Sequence, residues 1–380
     1  MPLSIDQLGS VIADARYALA RITTTYEPGG GSGSRVFPPT FPTTAQDPSP
    51  YLIEQRVLDG EPRKACVLDQ VPSQANRAEE ALAAAWSSGE VRMPMLRITH
   101  EGAAHAVITG LNAPHRAFDA YWRDSLLNGT KFDQTPLGKD LQAASLEDAS
   151  ALLNADPSTL VYGAWNSHRK GRQAKFPRVY ASEIVGWDPV VGARKAGRMD
   201  PINLIGARTG EGDEWTYSTT AAKTAKNKLS EIGHGNIAPN PAHGGVTITS
   251  SSRFATLSLT ALGRLGFGAH GRDAVIAAQV YLAAFALLGD RLAFGGPGVW
   301  LRSGCDLIVA EETMEWVGRG GVSEEFTLSR DEAVALYADS LEGARAAGLE
   351  INLEPVDLVP SPALAQAIDF SLTKAESAGE

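Results

Sequence analysis

Residues 160–201 read LVYGAWNSHRKGRQAKFPRVYASEIVGWDPVVGARKAGRMDP, and the reading of this stretch decides how the rest of the chain is taken. Two apolar runs, 160–165 and 179–187, have the β-branched and aromatic content of strands. Between them, His168 to Arg178 places five Lys or Arg in eleven residues with no acid. A cationic loop at 166–178 held between strands suits a polyanion. Its side chains neutralise phosphates, the strands fix where they point, and Trp165, Phe176 and Tyr180 offer flat faces for bases. The competing reading is a solvated surface loop, because a basic patch alone is a weak signal.

The formal net charge of −10 argues at first against a nucleic-acid partner, but its location reverses that inference. Residues 306–380 hold 16 acids and 4 bases, whereas 165–256 hold 13 bases and 7 acids. The acidity belongs to the C-terminal part, and the middle is a cationic island. Cys66 and Cys305 have no metal-ligand spacing and make no disulfide framework, which fits a reducing cytoplasm. The opening MPLSIDQLGS has no secretory pattern. The apolar run 274–288, broken by Gln279, is too short to span a bilayer and predicts a buried core helix. A cytoplasmic protein with no membrane partner is expected.

Upstream of the opening stretch, Ser4 caps a helix over 4–16 and 17–27 has strand composition. GGGSGS and five prolines within 35–50 predict a loop or arm over 28–72. A helix follows over 73–89, then a hairpin over 93–110 turning at Glu101–Gly102. Pro114 predicts a helix over PHRAFDAYWRDSLL, where Arg116 and Arg123 share one face and His115 and Trp122 another. The alternative there is a core of Phe118, Trp122 and Leu126, with the arginines paired to Asp119 and Asp124. A capping box from Ser145 to Asp148 predicts a helix over 146–155.

Downstream, 202–217 is irregular, and 218–235 predicts a lysine-bearing helix closed by Gly233. Residues 244–262 read as one strand or two, with Arg253 their only charge. Gly266, Gly268 and Gly271 have GxGxxG spacing before an apolar helix over 272–289. A dinucleotide site needs that pattern at the first turn of a βαβ unit, with an acid on the next strand. Here it lies deep in the chain, and Asp290 sits at a helix end, so a nucleotide-cofactor-binding enzyme using these glycines is the weaker alternative. A strand over 299–311, an acidic helix capped by Ser329 and Glu332, and a last helix from Ser361–Pro362 complete the chain. His168, His234 and His243 lie in the cationic island, where phosphate or base contact is expected rather than metal.

The blocks SQANRAEEAL, PHRAFDAYWRDS, LVYGAWNSH, ASEIVGW, KLSEIGHGNIAP, GGV followed by LSLTALGRLGF, WLRSGCDLI and LVPSPAL resemble a known set in order. They are similar to the signature blocks of the CRISPR-associated RAMP-superfamily backbone subunit of type I-G systems, formerly I-U, over about residues 17–365. The resemblance implies an α/β (α+β) chain: one RNA-recognition-motif-like (ferredoxin-like) palm over 1–380, enlarged by helical and loop insertions. It implies a subunit with no catalytic residue, metal or cofactor, several copies of which line a crRNA in a Cascade complex with other subunits. Such a complex meets target DNA through the guide.

Within that scheme the 93–110 hairpin is either a thumb-like element or a sheet edge. Gly304 departs from the basic residue expected in the family, and the aromatic ribonucleoprotein motifs are absent, so contacts by Arg and Lys to the RNA backbone are expected. The candidate RNA ligands are Arg35, Arg77, His115, Arg116, Arg123, His168, Arg169, Lys170, Arg172, Lys175, Arg178, Lys223, Lys226, Lys228, His234 and Arg253. Related type III subunits cut RNA with a loop aspartate, for which Asp69, Asp133 and Asp140 are open positions here; the type I resemblance argues against cutting.

Overall fold

The computed structural model describes residues 2–44, 48–103, 105–166, 174–210, 215–220 and 227–379. α1 (Ile5–Asp14) starts where expected: the Ser4 hydroxyl accepts from Gln7 N–H, and the Gln7 side chain accepts from Ser4 N–H. β1 (Tyr17–Pro28) then alternates, with Ala20, Ile22, Thr24 and Tyr26 buried and Arg21 and Thr23 on the other face. The predicted arm over 28–72 is only half an arm. Its second part is a hairpin, β2 (Ile53–Leu58) and β3 (Glu61–Asp69), turning at Asp59 and Gly60 with φ of 52° and 83°. An Asp-Gly pair with positive φ at both residues is the tight turn that matches strand twist.

α2 (Val71–Ser87) buries Ala75, Ala78, Leu82 and Ala85 on one face. β4 (Leu96–Glu101) and β5 (His105–Thr109) form the expected hairpin. The helix predicted from Pro114 is replaced by a 3₁₀ turn at 116–118, α3 (Ala120–Arg123), β6 (Ser125–Leu127) and β7 (Thr130–Lys131). Asp119 breaks it: one carboxylate oxygen accepts from His115 N–H behind it, and the other from Tyr121 N–H ahead.

α4 (Pro136–Ala143) leads to α5 (Ser150–Ala155), which starts four residues later than predicted because residues 145–149 bond to 266–267 rather than opening a helix. The first half of the predicted strand at 160–165 is the end of α6 (Pro157–Tyr162), which has Pro157 at its first turn. Only β8 (Ala164–Asn166) is extended, and it pairs with β9 (Ala174–Phe176).

β10 (Tyr180–Trp187) and β11 (Val190–Arg198) follow. The predicted irregular span contains β12 (Ala207–Thr209), paired with β13 (Thr216–Ser218). Of the predicted lysine-bearing helix, the described residues form a strand end and a 3₁₀ turn over 229–232, closed by Gly233 at φ 85°. Residues 221–226 lie outside the described ones. β14 (Ile237–Thr247) pairs with β11 as a long ribbon whose outer part is exposed.

β15 (Ser251–Ser258), α7 (Leu259–Leu262) and α8 (Arg272–Phe294) come next. α8 is long and apolar enough to cross a membrane by composition, yet 78% of its apolar window is buried inside the protein, as a core helix would be. The predicted strand over 299–311 is a hairpin of β16 (Gly298–Arg302) and β17 (Cys305–Gly318), and β18 (Ser323–Glu325) adds to β17. α9 (Arg330–Ala346) carries the expected capping box, and β19 (Val356–Pro360) precedes α10 (Pro362–Gly379).

The main sheet runs β16–β17–β1–β15–β10–β3–β2 with every neighbouring pair antiparallel. Its centre is β17–β1–β15–β10, with α2 between β1 and β10 in the chain and α8 between β15 and β17. α2 packs on β10 and on α8, and their apolar faces share one core. The sheet curls until its two flanks meet. Cys66 of β3 and Cys305 of β17 sit in one buried cluster, and Arg77 bonds Asp69 at the end of β3 and the carbonyls of Trp300 and Leu301 in β16. A second sheet runs β5–β4–β19–β6–β7, so the 93–110 hairpin is a sheet edge, fixed by the parallel pairing of β19 with β4.

Candidate nucleic-acid interface

The β8–β9 hairpin leads into and out of residues 167–173. Its register pairs Trp165 with Lys175 and Asn166 with Ala174. Because strand side chains alternate, Asn166, Ala174 and Phe176 point inward, while Trp165 and Lys175 share the outer face. Trp165 is 50% exposed, and the Lys175 ammonium lies 4.9 Å from its ring centroid, within cation–π range.

Below this pair opens a cleft of ≈ 570 Å³ lined by Pro114, His115, Arg116, Tyr162, Gly163, Trp165, Lys175, Phe176 and Arg178. Two chain features shape it. Gly163 has φ 80°, and a Cβ there would come within 2.9 Å of Arg178 N and Phe176 O, so only glycine lets the end of α6 pass under β9. Arg116 forms the floor: Nε and Nη2 donate to Glu79 at 2.6 and 2.7 Å, and Nη1 donates to the Gly163 carbonyl at 2.8 Å. Burial pushes the Glu79 carboxyl up to about 7 against the opposing pull of Arg116. His115, Lys175 and Arg178 are exposed at the rim, and Arg178 has no ion-pair partner among the described residues.

The structure thus brings together four candidate ligands, His115, Arg116, Lys175 and Arg178, from two segments of the chain. Arg116 is a correction to the expected role, because its guanidinium is buried and bound to Glu79 and Gly163 rather than offered to solvent.

Arg253 is a larger correction. It is 0% exposed between the sheet and α8, bonded to Asp290 and Tyr180 through Nη2 and to Gln74 through Nε, with its guanidinium 3.8 Å from the Phe294 ring centroid. Burial opposes charge on Asp290, but Arg253 and Arg291 outweigh it and hold that carboxyl below its usual range. Arg77 likewise spends its donors on Asp69 and the two β16 carbonyls.

Arg123 is exposed and paired with Asp124, as the alternative reading expected, but it lies on the rim of a different cavity. Arg35 is exposed and bonds the Ala193 carbonyl at the root of the ribbon. Lys228 and His234 are exposed beyond the ribbon, with the His234 ring 5.9 Å from Trp215. His168, Arg169, Lys170, Arg172, Lys223 and Lys226 lie outside the described residues.

The ribbon also supplies surface that the list of candidates lacks. Arg194 and Lys195 are exposed on β11, and beyond them Met199 is 91% and Ile202 77% exposed. The paired cations of VVGARKAGR were visible in the sequence, but no local pattern reveals that this strand projects as half of a ribbon.

The GxGxxG segment has a packing role. Gly266 and Gly268 let the chain press against Glu147 and Asp148, and the Asp148 carboxylate fills the space over Gly268, where it would repel a pyrophosphate. Of the three loop aspartates, Asp69 is buried and paired with Arg77, Asp133 lines a cavity, and Asp140 is exposed on α4. Among the described residues, no group of three or more His, Cys, Asp or Glu is placed to hold a metal ion.

A comparison with curated proteins gives no match. A family model described as CRISPR-associated protein GSU0053 matches residues 20–190, a little under half of the chain, from β1 into β11 and including the whole cleft. This similarity supports a CRISPR-associated protein.

Proposed function

We infer that this protein is a non-catalytic subunit that binds the guide RNA of a type I-G Cascade complex and assembles in several copies along it, in the cytoplasm. The observation that carries RNA binding is the cleft at Trp165, Lys175, His115 and Arg178, which joins cations to an exposed ring at the foot of a segment rich in Arg and Lys. Cationic side chains that follow the backbone, with aromatic faces for bases, are how single strands are held without sequence preference.

The strand order supports the palm. Numbered along the chain, β1, β10, β15 and β17 lie in the order fourth, first, third, second, with a helix after the first and after the third. That is the split βαβ arrangement of ferredoxin-like and RNA-recognition domains. The long β11–β14 ribbon leaves the palm between its second and third strands and ends in exposed Met199 and Ile202. It fits a thumb-like element better than the 93–110 hairpin, whose β4 is committed to a sheet through β19. A basic middle and an acidic C-terminal part suit head-to-tail contacts between copies, which extend until capped.

The test is to purify the chain after co-expression with a CRISPR array. Expected are excess absorbance at 260 nm, protected RNA of guide length, and a mass that grows with guide length. Protein free of RNA, or one subunit per RNA at every length, overturns the reading.

A further inference from the structure

The block WLRSGCDLI has no part in the cleft. It forms the β16–β17 hairpin, whose alternation puts Leu301, Cys305 and Leu307 inside, while Trp300, Arg302, Asp306 and Ile308 face solvent. Trp300 is 63% and Ile308 53% exposed, although the smaller Leu301 between Trp300 and Arg302 is buried. A large aromatic side chain left outside beside a second apolar one is the kind of feature that marks a contact surface.

The hairpin is braced on two sides. Arg77 of α2 donates to the Trp300 and Leu301 carbonyls and to Asp69. At the turn, Gly304 has φ 74°, and a Cβ there would come within 2.8 Å of the Phe37 ring, so the turn packs directly on that ring. The same ring lies against Gly245 at the root of the ribbon, where a Cβ would come within 3.3 Å of it. Residues 35–37 thus join the hairpin to the ribbon: Phe37 N donates to the Gly304 carbonyl, Val36 pairs with Val246 of β14, and Arg35 donates to the Ala193 carbonyl of β11.

That junction gathers exposed cations from three segments, Arg302 of β16, Arg35, and Arg194 with Lys195 of β11. Among the described residues none of the four has an ion-pair partner, whereas the exposed Arg21, Arg92 and Arg330 each meet a carboxylate. Asp306, across from Trp300, is the acid on the hairpin face and leaves phosphate to the Arg302 and Arg35 side.

We propose that this surface is a second contact for the bound single-stranded RNA, with one base stacked on Trp300 and neighbouring phosphates on Arg302, Arg35 and the ribbon cations. This rests on the RNA-binding reading above. Every base has a flat face, so a stacking ring asks for no sequence, and unpaired cations beside it hold the backbone. The cleft lies at the Tyr180 end of β10 and the hairpin at the Trp187 end, where Gly186, Ser251, Tyr26 and Val309 form one row across the sheet. The eight residues of β10 set the two contacts roughly 25 Å apart, so only RNA long enough to reach both engages both.

The experiment measures the affinity of the full chain for single-stranded RNA in lengths from about 4 to about 16 nucleotides. The unmodified protein should gain affinity between the shortest and the longest RNA, and Trp300→Ala should lose about tenfold of it at the longest. Trp300→Phe keeps a ring and most of the gain, and urea unfolding of both variants matches the unmodified protein because the site is exposed. Arg302→Glu flattens the plot of log affinity against log salt by about 0.7 with the longest RNA. RNA carrying 5-iodouridine cross-links on irradiation to the peptide that holds Trp300. Unchanged affinity of Trp300→Ala for the longest RNA, while Lys175→Glu still weakens binding, would mean that the hairpin surface is wrong and the cleft reading stands. Loss of self-association in RNA-free Trp300→Ala, with RNA affinity intact, would assign the face to a protein partner and overturn the proposal equally. If the unmodified chain binds no RNA of any length, both readings fall.

Discussion

Arg253 and Arg178 both belong to the cationic middle of the chain, and the fold puts them to opposite uses. Arg253 sits in a largely buried network that runs from Gln74 of α2 through Asp290 and Arg291 of α8 to Glu312 of β17 and Thr24 of β1. With Arg253 on β15 and Tyr180 on β10, this network ties two helices to the four central strands. Arg178 stands at the rim of an open cleft with Lys175 and His115 beside it. Charge can meet a ligand only where it stays unpaired at the surface, whereas interior charge is committed to holding the fold together.

The largest expected effect comes from the interior. Arg253→Met removes a fully buried partner of Asp290 and leaves Gln74 and Tyr180 short of a donor, so stability should fall by about 3–5 kcal/mol. Urea unfolding measures it. A loss below about 1 kcal/mol would mean that packing alone holds the helices on the sheet, and the contrast between the two regions would collapse.

The floor of the cleft lies between the two regimes, and pH separates it from both. Because Glu79 is raised from an ordinary 4.5 to about 7, the folded protein keeps this proton in a range where the unfolded chain has lost it. The stability tied to it is complete below about 4.5 and lost as pH rises through about 7, a change of up to about 3 kcal/mol. Subtracting the stability of Glu79→Gln from that of the unmodified protein between pH 4.5 and 7.5 isolates the effect. A flat difference would put Glu79 with the ordinary surface carboxylates.

At the rim the prediction is a near-silent fold. Lys175→Glu with Arg178→Glu should change stability by about 0.5 kcal/mol or less per site. The same pair should weaken binding to RNA of every sequence alike and flatten the plot of log affinity against log salt by about 0.7 per lost contact. Reversing Arg319 and Arg345, exposed in the acidic part, is the control. Equal slopes in the two variants would make the cleft a solvated surface and move the guide path to the ribbon, with Arg194 and Lys195 the next residues to reverse.

Most elements were legible where a local physical rule decides them. The Ser4 and Ser329 capping boxes, the strand alternation of β1 and β10, and the buried run of α8 each depend on neighbours within a few residues, and each stands close to where it was expected. The failures share a cause. Asp119 divides its bonding between His115 and Tyr121, residues 145–149 after the Ser145 cap bond to 266–267 instead of continuing as helix, and Pro157 opens a short helix where a strand was expected; in each case contacts or turns beyond a local pattern decide. The β2–β3 hairpin was hidden by the prolines before it, although Asp59–Gly60 is the turn that makes it.

By itself, the sequence determined that cations concentrate between residues 165 and 256 and acids after 306, since charge content needs no geometry. Which cations are free was decided only by tertiary structure. Arg253 and Lys175 are alike in formal charge; one meets Asp290 across 37 residues in the buried interior, and the other meets a tryptophan ring at the surface. Burial is a property of what packs against a residue, and for Arg253, Arg116 and Arg77 those neighbours come from α8, α2 and β16, far away in the chain.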